Sequence, residues 1–234
     1  WAGPGVPANG SFSNPLTVTM DRWRAIAAKF ASDTPAARTW SGAGNWFSDT
    51  NWSPACIPDA GDAVTIGAGN CTLADPVRVA TLTVRAGATL TLTNWSTHLI
   101  AAGNVLVTGT VTLASAFGNA DMSNRLWISC ANLLVAAAGK LDAEAKGYAR
   151  TDYIGNGPGG GRTFNGSYDC GGGGHGGQGG RWQRTGTNGL AYGSLTNPEN
   201  PGSAGVNVAS GKDGGGAIRI AASGTVTVNG SITA

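Results

Sequence analysis

The reading of this chain turns on Ala80-Thr-Leu-Thr-Val-Arg-Ala-Gly-Ala-Thr-Leu-Thr-Leu92: an alternating strand, a corner of small residues, then a second alternating strand. The same grammar returns in Gly103-Asn-Val-Leu-Val-Thr-Gly-Thr-Val-Thr-Leu113 and in Ala131-Asn-Leu-Leu-Val-Ala-Ala-Ala-Gly-Lys-Leu-Asp-Ala143. It closes the sequence as Gly224-Thr-Val-Thr-Val-Asn-Gly-Ser-Ile-Thr-Ala234. Leu82 and Val84, like Leu90 and Leu92, stand two apart and share one strand face, while the intervening threonines take the other. Val, Leu, Ile and Thr suit a pleated, half-buried surface. A unit of this kind cannot bury its apolar face alone, so the copies are expected to stack. Corresponding strands recur roughly 17 to 27 residues apart, the length of one coil of a parallel β-helix. The competing arrangement is an antiparallel sandwich of hairpins, for which Thr108-Gly109-Thr110 offers a tight turn. Hairpin dipeptides are scarce, Asn229-Gly230 being the best of them.

Composition narrows the function classes. Hydrophobic residues at 41% allow a core, whereas charged residues at 12% are about half the usual share. The net charge of +2, with Lys and Arg scattered, gives no electrostatic footprint for nucleic acid. Solubility rests on Ser, Thr and Asn, a surface common in secreted proteins and suited to side-by-side association. No apolar run reaches membrane-spanning length, so the chain is not expected to span a membrane. It begins at Trp1 without an initiator Met, which points to a removed upstream segment, most simply a signal peptide, although a boundary cut from a longer chain would look the same. Four cysteines without Cys-x-x-Cys spacing favour two disulfides in an oxidising compartment over zinc ligands or free thiols. Of three connectivities, Cys56–Cys71 and Cys130–Cys170 close the loops nearest in sequence and are the expected pairs.

The N-terminal part reads in two pieces. Residues 1–18 form an extended arm, rich in Gly, Pro, Asn and Ser and ending in a short alternating run, Leu16-Thr-Val-Thr19. Residues 19–38 form a helical cap, because Trp23, Ile26, Ala27 and Phe30 fall on one helical face and Pro35 stops continuation. Such a cap would cover the open apolar end of a strand stack. The solenoid domain then runs over 19–234 and carries a glycine-rich insertion at 155–216.

Two segments depart from the strand grammar. Trp40, Trp46 and Trp52 recur every six positions among turn residues. They are either a stacking platform for sugar rings or core residues at the corners of a first coil, and the second is the plainer reading. The insertion contains Gly157-Pro-Gly-Gly-Gly161 and Cys170-Gly-Gly-Gly-Gly-His-Gly-Gly-Gln-Gly-Gly180. A flexible linker would lack its Tyr, Trp and Cys punctuation. A phosphate loop would need a strand-to-helix context and a Lys before Ser or Thr. An ordered excursion of bare backbones, extended like polyproline II, accounts for the block best.

The run Trp40-Ser-Gly-Ala-Gly-Asn-Trp46, Asn51-Trp-Ser53, Pro58 and Gly61-Asp-Ala-Val-Thr-Ile66 resembles the first coil of bacterial secreted, autotransporter-like and adhesin-like passengers. The glycine-rich block, followed by Tyr192-Gly-Ser-Leu-Thr196, Gly214-Gly-Gly-Ala-Ile-Arg-Ile220 and Val228-Asn-Gly230, is similar to a module of large bacterial surface proteins. The resemblance covers most of residues 39–234 and implies a right-handed parallel β-helix. For function it implies only a range, from adhesins and fibres to lyases and hydrolases.

A search for catalytic groups yields little. His98 lies in a strand-like run and reads as a lateral residue, and His175 stands alone among glycines. Asp142 and Glu144, two apart, would share a strand face and offer oxygens to Ca²⁺, the one cofactor the residues suggest. A polysaccharide lyase using Ca²⁺ or Arg150, Arg162, Arg181 and Arg184 is the enzymatic alternative. No Ser-His-Asp or Cys-His arrangement stands out. The expectation is therefore a secreted, non-enzymatic structural protein whose protomers join end to end into a fibre or surface layer. Phe12, Leu16 and Val18 of the arm and Val226, Val228 and Ile232 of the last strands would make the contact. The alternative partner is a surface glycan held on Trp40, Trp46 and Trp52.

Overall fold

The computed structural model describes residues 35–234 apart from 121, 152, 164–169, 181–186, 195, 198 and 207–211. Three sheets run the length of the strand stack. Sheet I collects β1 (Ala37–Trp40), β4 (Ala63–Ile66), β7 (Thr81–Val84), β10 (Asn104–Val107), β13 (Asn132–Val135) and β16 (Val226–Val228). Sheet II collects β2 (Ala43–Asn45), β5 (Gly69–Leu73), β8 (Ala88–Leu92), β11 (Thr110–Leu113), β14 (Lys140–Asp142) and β17 (Ser231–Thr233). Sheet III collects β6 (Val77–Val79), β9 (Leu99–Ala101), β12 (Leu126–Cys130) and β15 (Ile218–Ala222). Among the named strands every pairing is parallel except one, where β3 (Trp52–Ser53) lies antiparallel to β1. After a first circuit in which β3 folds back onto β1, the chain visits the three sheets in turn and adds one strand to each per circuit up to β15, a β-solenoid-like arrangement. The sandwich of hairpins is set aside by the pairing itself.

Register explains the sequence repeats. Val64, Leu82, Val105, Leu133 and Val226 form one inward column of sheet I, and Ile66, Val84, Val107, Val135 and Val228 form the next. On sheet II the column runs through Cys71, Leu90, Val111, Leu141 and Ile232. Because side chains alternate with period two, a slip by one residue would turn every member of a column outward. Small corners let successive coils approach. A Cβ on Gly139 would lie 2.1 Å from the Val107 carbonyl oxygen of the coil beneath.

The expected helical cap falls mostly on residues 19–34, which lie outside the described residues, and Ala37 and Arg38 begin β1 instead. That first strand is fastened by a buried carboxylate. Asp62 accepts hydrogen bonds from Ala36 N at 2.9 Å, Arg38 Nε at 3.0 Å and Asp59 N at 3.2 Å. Burial alone would raise the Asp62 pKa, but these donors outweigh it and hold the carboxyl below the usual range. A depressed folded pKa contributes stability that is present above the unfolded value and lost as pH falls through the folded one. Asp62→Ala leaves Arg38 without its partner and is expected to cost about 3 kcal/mol in urea unfolding at pH 7. The gap between wild type and variant should shrink in acid; a variant as stable as wild type at pH 7 would contradict the role given to Asp62.

The glycine-rich insertion is ordered in its described parts. It leaves the stack after β14 and returns at β15, so the departure starts before residue 155. Its segments bond to one another: Gly155 N to Gly161 O at 2.8 Å, Gly161 N to Ala204 O at 3.1 Å, and Gly189 N to Gly172 O at 2.9 Å. Gly202 N reaches Gly215 O at 2.8 Å, and Gly216 N returns to Ala143 O at 2.8 Å. These segments approach so closely that a Cβ on Gly155 would stand 2.0 Å from Ala204 O. Bare backbone is the building material here, as the block's punctuation suggested.

Candidate functional site: the outermost coil

Strands β15, β16 and β17 form the last strand of their respective sheets, each paired on one side only. Among the described residues their outer edges carry backbone N–H and C=O groups with no sheet partner, a template for another strand. The inward row is exposed as well. Val226, Val228 and Ile232 are 44%, 43% and 40% accessible, whereas their register partners Leu133, Val135 and Leu141 are 1%, 0% and 0%. The residues are apolar along each column; what differs is that no further coil lies above among the described residues. Ile220 and Ala222 of β15 are partly buried against the core. Among the residues expected to form an assembly face, these three valine and isoleucine positions come together at one end of the stack. Phe12, Leu16 and Val18 lie outside the described residues.

The tryptophans do the opposite of what a sugar platform needs. Trp40, Trp46 and Trp52 are buried, with Trp52 edge-on to the other two at 5.2 Å and 4.9 Å between ring centroids. Trp52 Nε1 donates to Trp46 O at 2.7 Å. The antiparallel β1–β3 clip sets Trp40 opposite Trp52, which turns both rings into the first coil. No ring face is left for a glycan, and the stacking reading is corrected on that ground.

Neither expected disulfide forms. Cys71 is an inward residue of β5, in register with Leu90, and its thiol is pushed up in pKa by burial. Cys56 is exposed in the loop before β4, where its Sγ lies 3.6 Å from Ile57 O. Cys130 ends β12 on the buried face, and Cys170 sits half-buried in the insertion. Cys71 and Cys130 serve as small apolar core residues, a common use of the thiol.

The acidic pair is also taken apart. Asp142 is held by Lys140 Nζ at 3.0 Å, Glu144 N at 3.1 Å and Thr233 Oγ1 at 3.0 Å, while Glu144 lies past the end of β14 and is exposed. Among the described residues no three His, Cys, Asp or Glu side chains converge as metal ligands, and Asp142 and Glu144 do not form the shared strand face expected for Ca²⁺. His175 binds Asn200 O through Nε2 at 2.9 Å and meets Tyr192 edge-on. His98 is lateral, but it belongs to a cation and indole cluster on sheet III that no sequence spacing signalled.

Among the described residues the geometry is an all-β stack of parallel sheets whose last strands carry an exposed apolar row. Comparison with known proteins finds no matching family model, no similar curated protein and no similar solved structure. Among the described residues no helix is long and apolar enough to cross a membrane.

Proposed function

We propose that this chain is a secreted structural protein, a right-handed parallel β-helix whose protomers join end to end into an extracellular fibre or surface layer. The observation that carries this reading is the contrast between exposed Val226, Val228 and Ile232 and their buried counterparts one coil below. A second copy seated there would bury that row and pair the free edges of β15, β16 and β17 in one step. A contact between unlike surfaces of identical chains propagates unless it closes. The lateral face suits an assembled state: sheet II shows Asn70, Thr89, Thr110 and Lys140 in one outward column, polar with a single charge.

In this reading Phe12, Leu16 and Val18 of the arm add a strand to the neighbour's edge. Electron microscopy of the purified chain and of a variant lacking residues 1–18 tests both parts. Filaments from the full chain and folded monomers from the shortened one are expected. Filaments from both would remove the arm from the contact, and discrete particles from the full chain at high concentration would remove the fibre.

A further inference from the structure

Sheet III gathers cationic side chains around one indole on its outer face. The His98 imidazole, next to Leu99 of β9, stacks on Trp127 of β12 with centroids 3.8 Å apart and planes at 9°. Arg219 of β15 stands in register with Trp127 and brings its guanidinium carbon to 4.9 Å from the indole. Arg125 lies 4.3 Å from the Trp127 ring and 4.8 Å from that of Trp95. Arg78 on β6 adds a third guanidinium whose field reaches His98: burial first, then Arg125, Arg78 and Arg219, lower that imidazole's pKa and favour its neutral form. Among the described residues only Glu199 forms an ion pair with any of these groups, at 2.7 Å from Arg219 Nη1.

Two facts make this more than a ladder of stacked side chains. Like charges gathered on one face repel, and a single carboxylate does not balance them. Arg125 is only 8% exposed, and its Nε and the Trp127 Nε1 have no hydrogen-bond partner among the described residues. Buried donors are nearly always paired, and each one left unpaired costs about 1–3 kcal/mol. The surplus positive charge calls for an oxyanion at the surface.

We propose that the outer face of sheet III binds the carboxylate or sulfate groups of an acidic polysaccharide, through Arg125 and Arg219 beside Trp127 and Arg78 two coils away. The indole faces are already covered by His98 and the guanidiniums, so recognition works through charge rather than ring stacking. That also disfavours single-stranded nucleic acid, which needs open aromatic faces for its bases. Arg78 and Arg219 stand three coils and two register positions apart, about 16 Å at the usual strand spacing and rise. Cations at that separation fit a polymer charged once every one or two sugars.

Calorimetric titration at low salt with polygalacturonate, chondroitin sulfate, neutral dextran and an oligo-thymidine tests this. The expected result is binding of one or both acidic glycans and none of dextran. Polygalacturonate alone would assign a carboxylate ligand, and chondroitin sulfate alone a sulfate. Arg78→Ala with Arg219→Ala should weaken binding by about tenfold per guanidinium with unchanged circular dichroism, since both side chains are exposed. Arg85→Ala with Lys212→Ala, which removes the same charge at exposed positions elsewhere, should leave affinity unchanged. The proposal is overturned by no binding of either glycan, by equal losses in the two double variants, or by tighter binding of oligo-thymidine.

Discussion

Val228→Lys combined with Ile232→Lys is expected to convert an assembling chain into a folded monomer. Both positions point inward on the outermost coil, where 43% and 40% of their surface remains open. In the isolated protein each lysine can therefore lay its stem over the coil below and keep its ammonium in water. Folding should be nearly untouched. In a stacked pair the same ammonium would lie between two coils without a partner, which costs several kcal/mol per charge. The association constant should drop by on the order of a thousandfold or more. Sedimentation velocity across a concentration series reads this directly. Thr227→Lys, on the outward side of the same strand, serves as the matched control and should assemble as wild type does. If Thr227→Lys disrupts assembly as strongly as the inward pair, charge alone is responsible and the coil face is not the contact.

Gly214→Ala is expected to be the most damaging single methyl in the chain's glycine-rich insertion. A Cβ there would sit 1.8 Å from Gly202 O and 2.3 Å from Gly202 C, with no flexible side chain able to yield. Gly214 is also tied on both sides, donating to Tyr148 O at 2.8 Å and accepting from Gly147 N at 2.7 Å. Either these segments part or the bonds break. We expect a loss of about 3–5 kcal/mol, at the upper end for a single substitution. Gly176→Ala is the contrast, because nothing lies within 4 Å of its would-be Cβ. It should change stability by no more than about 0.5 kcal/mol. Urea unfolding of the two variants side by side checks this; equal effects would mean that the glycine segments are not closely packed.

The strand stack was legible because its signal is local. Alternation in Leu82-Thr83-Val84 and Leu90-Thr91-Leu92 states which side faces inward, and the same pattern one coil later states what lies on top. The uncovered end was legible for the same reason, since Val226, Val228 and Ile232 continue columns that are buried elsewhere. The order of the glycine block was readable from its punctuation, although carbonyl approach, not sequence, decides which glycines are indispensable. The cysteines misled because an even count carries no geometry. Cys71 occupies a position that Leu90 fills in the next coil, and nothing in its neighbours announces that. For the tryptophans, six-residue spacing fits a corner equally well with rings in or out; the antiparallel β1–β3 clip decides it. The cluster at Trp127 was invisible because its members come from separate coils, with the whole insertion lying between Trp127 and Arg219. Only register brings them together.

Diffraction from aligned assemblies of the full chain probes the central claim most directly, since it reports whether sheets continue across protomers. Coils stacked on the β15–β16–β17 face predict a meridional reflection near 4.8 Å, the spacing of neighbouring strands, from strands lying across the fibre axis. Aligned assemblies whose 4.8 Å reflection falls on the equator would place the strands along the axis and contradict end-to-end stacking.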